Sequence, residues 1–369
     1  RSGGIVRIMA LTRIPAPAIA DVREPNFRNI IINGDMSVAQ RNTTKASVTT
    51  AGYYTVDRMQ WIADYGTVTL SQDTDVPSGQ GFAKSFKADV TTAGSVSSAG
   101  YVLLRQKIEG QNLQYLKKGT SSAQSLTLSF WIKSTKTGTY IAELYDNDNT
   151  RQISKSYTVS SSNTWEKKEI TFAGDTSGAF GNDNAASLFV NLYLSAGSDY
   201  TSGTLNTSWA ASTNANRVVG QVDAQDNTSN NIYFTGIQLE AGDTASEFEF
   251  LPYDVNLQRC YRYYYSFIKD ETNEEIGCGG YYSASQIFVD IPLPVTMRAN
   301  PTLDFTTGTD YYGVYRNSAH DTFNSFTIGQ SGINLVGLYN NSEVSGTAGH
   351  AGFFRTNNAS SSMAFAAEL

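Results

Sequence analysis

Histidine, cysteine, charge and long apolar runs are all scarce in this sequence, and each scarcity removes a class of protein. Only His320 and His350 offer imidazoles, so a Ser/His/Asp triad or a two-histidine metal site would have to use them. Both fall in Gly/Ser/Asn-rich stretches, Asn317-Ser-Ala-His-Asp321 and Gly349-His-Ala-Gly352, which read as exposed loops. Two cysteines, Cys260 and Cys278, in 369 residues make no disulfide framework and no CxxC metal pattern, so both read as free thiols. No apolar run approaches the ~20 residues of a membrane span. The stretch from Ile5 to Ala20 is broken by Arg7, Arg13, Pro15 and Pro17, against a signal peptide. The expectation is a chain made in a cytoplasm, with no membrane insertion.

Charged residues make up 17%, below the ~25% of ordinary soluble domains. The net charge is −7 and no basic cluster could follow a phosphate backbone, which argues against nucleic-acid binding. Lys117-Lys118 and Lys167-Lys168 read as solvated strand ends or turns. No glycine-rich nucleotide loop stands between a strand and a helix. A glycosidase would need two carboxylates at a fixed separation. Asp146, Asp148, Asp223 and Asp226 qualify by type, yet all lie in Asn-rich turns, where Asp caps its own backbone. Asp146-Asn-Asp-Asn149 could offer oxygens to calcium, but it lacks the glycine and distal glutamate of an EF-hand loop. We therefore expect no catalytic residues, no metal and no cofactor.

What the chain has is Ser, Thr, Asn and Gly, with 22 Tyr and 18 Phe. Aromatic and β-branched residues suit a pleated, half-buried surface. Period-2 alternation is clear in Ser125–Lys133, where Leu126, Leu128, Phe130 and Ile132 share a face, and in Ser187–Ser195, where Leu188, Val190, Leu192 and Leu194 do. Gly/Ser/Asn/Asp clusters separate such runs. This predicts an antiparallel β-sandwich of jelly-roll size, about eight to twelve strands, over residues 29–253. Residues 1–28, with Pro15, Pro17 and Pro25, read as an extended N-terminal arm that must dock on something. Residues 254–369 read as a smaller C-terminal β-sandwich domain, opened by an aromatic joint from Tyr261 to Phe267. No repeat of 20–50 residues is visible, against a β-helix or propeller. The fold class is all-β.

Four ordered stretches resemble tail-fibre and related virion proteins of tailed bacteriophages. Asn29-Ile-Ile-Ile-Asn-Gly-Asp-Met-Ser-Val-Ala-Gln-Arg41 is similar to their "N-G-x-M…Q-R" opening and is followed by Tyr53-Tyr-Thr-Val-Asp-Arg-Met-Gln-Trp61. Ile237-Gln-Leu-Glu-Ala-Gly-Asp-Thr-Ala-Ser-Glu-Phe-Glu249 resembles the "Q-L-E-x-G…A-T-x-F-E" close of their jelly roll, with Ser246 where proline is usual. Leu257-Gln-Arg-Cys-Tyr-Arg-Tyr-Tyr264 resembles the following "L-x-R-C-x-R-Y-Y" joint, and Pro294–Thr302 the "M-R-A-x-P-T" segment. The resemblance implies a module similar to carbohydrate-binding jelly rolls, then a compact β-domain, in a homotrimer. It implies a virion location on tail or capsid surface, with other virion proteins met through the arm.

On this reading the chain attaches to host surface polysaccharide or lipopolysaccharide without catalysis. A purely structural virion component is the alternative, and a glycan-degrading tailspike a weaker one. Aromatic faces stack on sugar C–H groups while polar side chains bond hydroxyls. The candidate contacts are Tyr311, Tyr312, Tyr315, His320, Phe323, Tyr339 and Phe353, with Phe354 beside them, on an expected distal tip from about 303 to 355.

Overall fold

The computed structural model describes residues 27–369. Most of the expected arm, residues 1–26, lies outside them. Phe27 N–H and Asn29 N–H both donate to the Glu249 carboxylate, at 2.7 and 2.9 Å.

Among the described residues the first unit has twelve strands: β1 (Thr44–Val48), β2 (Gln60–Ala63), β3 (Thr67–Asp73), β4 (Ser85–Thr92), β5 (Tyr101–Glu109), β6 (Leu126–Ser134), β7 (Gly138–Asp146), β8 (Arg151–Val159), β9 (Glu166–Phe172), β10 (Ala186–Ala196), β11 (Ala210–Ala211) and β12 (Asn231–Ala241). They form two six-stranded antiparallel sheets, ordered β1-β3-β4-β12-β6-β9 and β11-β8-β7-β10-β5-β2. The two alternating runs meet as expected. Leu126, Leu128, Phe130 and Ile132 of β6 share one core with Leu188, Val190, Leu192 and Leu194 of β10. The fold is the predicted all-β, jelly-roll type of sandwich.

A helix, α1 (Tyr253–Tyr261), leads into the second unit. Its strands are β13 (Tyr264–Ile268), β14 (Glu275–Ser283), β15 (Gln286–Pro292), β16 (Thr302–Phe305), β17 (Tyr312–Arg316), β18 (Ala319–Phe323), β19 (Thr327–Ser331), β20 (Leu335–Asn340), β21 (Ala351–Thr356) and β22 (Met363–Ala366). A three-stranded sheet, β13-β22-β16, accompanies a seven-stranded one, β18-β17-β21-β14-β15-β20-β19. Ile268, Met363 and Phe365 from the small sheet share a core with Val289, Tyr312, Leu338 and Phe354 from the large one.

The four stretches that carry the resemblance turn out to be fasteners. Asn33 holds a left-handed turn (φ 62°) by donating to Val38 and Asp57 carbonyls while accepting from Val38 N–H. Gly34 lies so close to the Ile237 carbonyl that a Cβ would collide with it. Gln238 and Glu240 accept from the Glu249 and Ser246 backbone amides and tie down the closing segment. Arg262 makes a two-pronged pair with buried Glu109, both contacts 2.7 Å, and Tyr263 donates to the same carboxylate at 2.5 Å. Arg298 donates to the Ala367 and Glu368 carbonyls of its own unit and to Asn184 of the sandwich. Glu368 in turn pairs with buried Arg58 and with Arg41.

Tyr263 and Tyr264 are buried inside the chain, with the Arg58 guanidinium 3.5 Å from the Tyr263 ring and that of Arg41 3.6 Å from the Tyr264 ring. They are used in docking the two units.

Candidate functional site

The seven-stranded sheet has one face in the core and one in solvent, and the strand register decides which side chain goes where. On β17, Tyr312 and Val314 point inward, and Tyr315 points outward. Tyr315 sits opposite His320 on β18 and opposite Phe353 on β21. Directly opposed residues in adjacent strands hold their side chains close. The Tyr315 and His320 rings stack at 5.3 Å with planes 16° apart, and Tyr315 and Phe353 at 5.5 Å and 5°. Arg355, two residues along β21, places its guanidinium 4.4 Å from the Phe353 centroid and 5.4 Å from that of Tyr315. The Tyr315 hydroxyl donates to Asn357 at 2.9 Å. His320 is exposed and Phe353 keeps 37% of its surface in solvent. An open hollow of about 420 Å³ runs beside the stack, floored by Ala351 and Gly352 and walled by the Arg316–His320 hairpin.

Three of the residues expected from sequence are thus brought together: Tyr315, His320 and Phe353. His320 lies on a strand rather than a loop. Tyr339 is half-buried in a neighbouring cluster on the same face, its ring 5.6 Å from Phe288, which in turn lies 5.8 Å from Tyr282. The expectations for Tyr312, Phe323 and Phe354 are corrected. Tyr312 and Phe323 are 0% and 1% exposed and stack on each other in the core, where Phe354 also lies; a side chain without surface cannot meet a ligand. Tyr311 packs against the same core.

Tyr282 and Phe288 were missed by sequence reasoning. A signal existed for Phe288: in Gln286-Ile-Phe-Val-Asp-Ile the core takes Ile287, Val289 and Ile291, so Phe288 is an aromatic on the polar side of an alternating strand. Tyr282 sits at a β-bulge, where the pairing shifts between Tyr281 and Ser283. Bulges re-aim side chains, and Tyr282 is 77% exposed.

Beneath the stack a clamp holds the sheet. Arg316 pairs with Asp321 at 3.0 Å and lies over the Tyr281 ring, whose hydroxyl donates to Asp321. Burial and the Asp321 carboxylate push the Tyr281 hydroxyl up to about 12, so it remains a donor at neutral pH.

The carboxylates considered for glycoside or calcium chemistry are engaged elsewhere. Asp146 accepts from Lys118 at 2.5 Å and from the Asp148 and Asn149 amides. Asp148 accepts from Gly181 N–H, Asp223 from the Tyr65 hydroxyl, and Asp226 pairs with Lys136. His350 is half-buried just before β21. Cys260 is buried and Cys278 exposed, and neither forms a disulfide.

No protein-family model matches the sequence, and no curated protein matches it. Among solved structures, the chain is similar to the enzymatically active domain of tailspike protein 4 of bacteriophage CBA120, at 16% identity and a TM-score of 0.31. That match covers 58% of this chain and 21% of the other, so the chain spans about a fifth of the tailspike domain's length. It is also similar to a family 11 carbohydrate-binding module from Clostridium thermocellum, solved with a mixed-linked tetrasaccharide, at 14% identity and a TM-score of 0.27, covering 55% of this chain and 98% of that one. A xylan-binding domain from Paenibacillus barcinonensis Xyn10C matches at 11% identity and 0.25, with 55% and 94% covered.

Proposed function

We propose that this chain is a non-catalytic attachment protein of a tailed bacteriophage particle, a tail fibre or surface appendage that binds host surface glycan. The observation that carries the reading is the uncovered aromatic face of the seven-stranded sheet. Sugars present apolar C–H faces and hydroxyl edges. Offset-stacked rings that keep part of their surface in water, beside a phenol, an imidazole and a guanidinium, match both. A contiguous exposed aromatic patch on a sheet is a recognition feature rather than a packing one. The ordered resemblance of the fastener stretches to tail-fibre proteins supports the virion location, with the N-terminal arm docking on the particle. Among the described residues no helix is long and apolar enough to cross a membrane.

Purified Tyr315→Ala and Phe353→Ala chains should keep their fold and lose tenfold or more of their binding to host cells or immobilised lipopolysaccharide. Unchanged binding by folded variants overturns the site. Absence of wild-type binding favours a purely structural virion role.

Assembly as a homotrimer is part of the same proposal. With Tyr263 and Tyr264 consumed inside the chain, the subunit contact falls to apolar surface left in water, such as Ile333 and Leu335 beside Pro292. Light scattering at three times 40.2 kDa supports it, and a monomer mass at micromolar concentration refutes it.

A further inference from the structure

We propose that the uncovered face takes the interior of an extended, neutral oligosaccharide laid across the strands, one part on the Tyr315 stack and another on the Tyr282–Phe288–Tyr339 group. This rests on the glycan-binding reading above and adds the length and direction of the ligand.

The register supplies the geometry. Phe353 pairs with Cys278, and Gly280 pairs with both Ala351 and Phe288. Only β14 therefore separates Phe353 from Phe288, and between them it presents Cys278 and Gly280 outward. Phe288 lies two strands across and two residues along from Phe353. At strand spacings near 4.8 Å and rises near 3.4 Å per residue, the groups stand ~12 Å apart. One pyranose ring cannot reach both, whereas a short run of linked sugars can.

The ground between them is low. Ala351, Cys278 and Gly280 leave no bulky side chain in the path. A Cβ on Gly280 would come within 2.8 Å of the His350 carbonyl, so the backbone itself keeps this position bare. The bulge that raises Tyr282 stands at the far side and gives the groove a second wall.

Charge along the path is close to balanced. Arg355 pairs with Glu275 at 3.5 Å, and exposed Asp290 lies one position from Phe288's core-facing neighbour. An acidic polymer would meet no free cationic track here, so the ligand class is neutral sugar, with hydroxyls bonded by Asp290, Asn357 and Tyr315.

The test is titration calorimetry of the full chain with a size-fractionated ladder from partial acid hydrolysis of a neutral O-polysaccharide of the host. Affinity should rise at least tenfold from disaccharide to the longer fractions and then level off. Tyr282→Ala should remove that rise and leave the shortest binding fraction, which sits on the Tyr315 stack, unchanged; at 77% exposure the side chain carries no core packing, and circular dichroism should show an unaltered fold. If the disaccharide binds as tightly as the longest fraction and Tyr282→Ala has no effect, the extended site fails while the Tyr315 platform stands. If no fraction binds, the platform reading fails with it.

Discussion

Two sheets in this molecule carry aromatic and polar residues on their outer faces, and the chain treats them in opposite ways. In the sandwich, the outer face of the β7–β10–β5 sheet is covered by the protein's own residues 197–222. Ile141, Tyr193, Leu103 and Val218 form a small second core there. Glu143 is buried beneath the cover, held by Arg217 through two contacts of 2.8 Å, by Asn191 at 2.7 Å and by Tyr193. Further along the same face Tyr145 and Phe189 stack at 5.7 Å and stay half-buried, with Arg217 over one and Arg105 over the other. In the second unit the outer-face stack of Tyr315, His320 and Phe353 has no such cover among the described residues. The lesson is that stacked aromatics on a sheet do not mark a ligand surface by themselves. What sets the Tyr315 stack apart is that, among the described residues, no segment folds across its face.

The sharpest way to test that contrast is to remove a buried group from each region beside an exposed one. Phe323→Ala opens a cavity in the core of the second unit and should cost about 3–5 kcal/mol. His320→Ala, on the same strand but the outer face, should stay within ~0.5 kcal/mol. Urea denaturation of both variants measures the difference; equal losses would mean that the outer face is covered after all.

Removing the buried carboxylate under the cover comes next. Glu143→Ala leaves Arg217 without its partner in a mostly buried position and should cost on the order of 3 kcal/mol. The expected sign of success is earlier proteolysis within residues 197–222 while the second unit stays intact. A variant as stable as wild type would show that the cover is held by Val218 and Tyr200 packing alone.

The smallest effect concerns the joint between the units. Asp57 is buried and accepts from Gln40, whose amide also bridges to Tyr264 and Ser266 of β13. Burial pushes its carboxyl up to about 6, despite the bonds from Gln40 and the nearby Arg41 charge. The folded chain therefore takes up this proton before the unfolded chain does, so stability from Asp57 is complete below about pH 4 and is lost as pH rises through about 6. Glu109 behaves oppositely: burial raises it, but Arg262 and Tyr263 outweigh burial and hold it below the usual carboxylate range, so its contribution is lost only in stronger acid. Between pH 7 and 5 the wild type should gain roughly 1–2 kcal/mol from Asp57, and Asp57→Asn should not. Melting curves at the two pH values decide it; identical pH dependence in both chains would remove Asp57 as the source.

Much of the architecture is legible in the sequence because alternation is local. Side chains of a strand point to opposite faces with period 2, so Leu126–Ile132 and Leu188–Leu194 declare their inner faces without reference to any partner. The four fastener stretches are legible as motifs for the same reason: Asn33, Gly34 and Gln238 act on neighbours whose geometry is narrow. Phase and cover are different. Tyr311-Tyr-Gly-Val-Tyr315 places tyrosines on both parities, and only pairing with Phe323 and Phe354 turns Tyr312 inward and Tyr315 outward. Whether an outer face is then buried depends on a segment far along the chain, as residues 197–222 are from Leu103. Alternation is a property of a few consecutive residues, whereas burial of a face is a property of the closed core, and that is where sequence and tertiary structure divide the description of this protein.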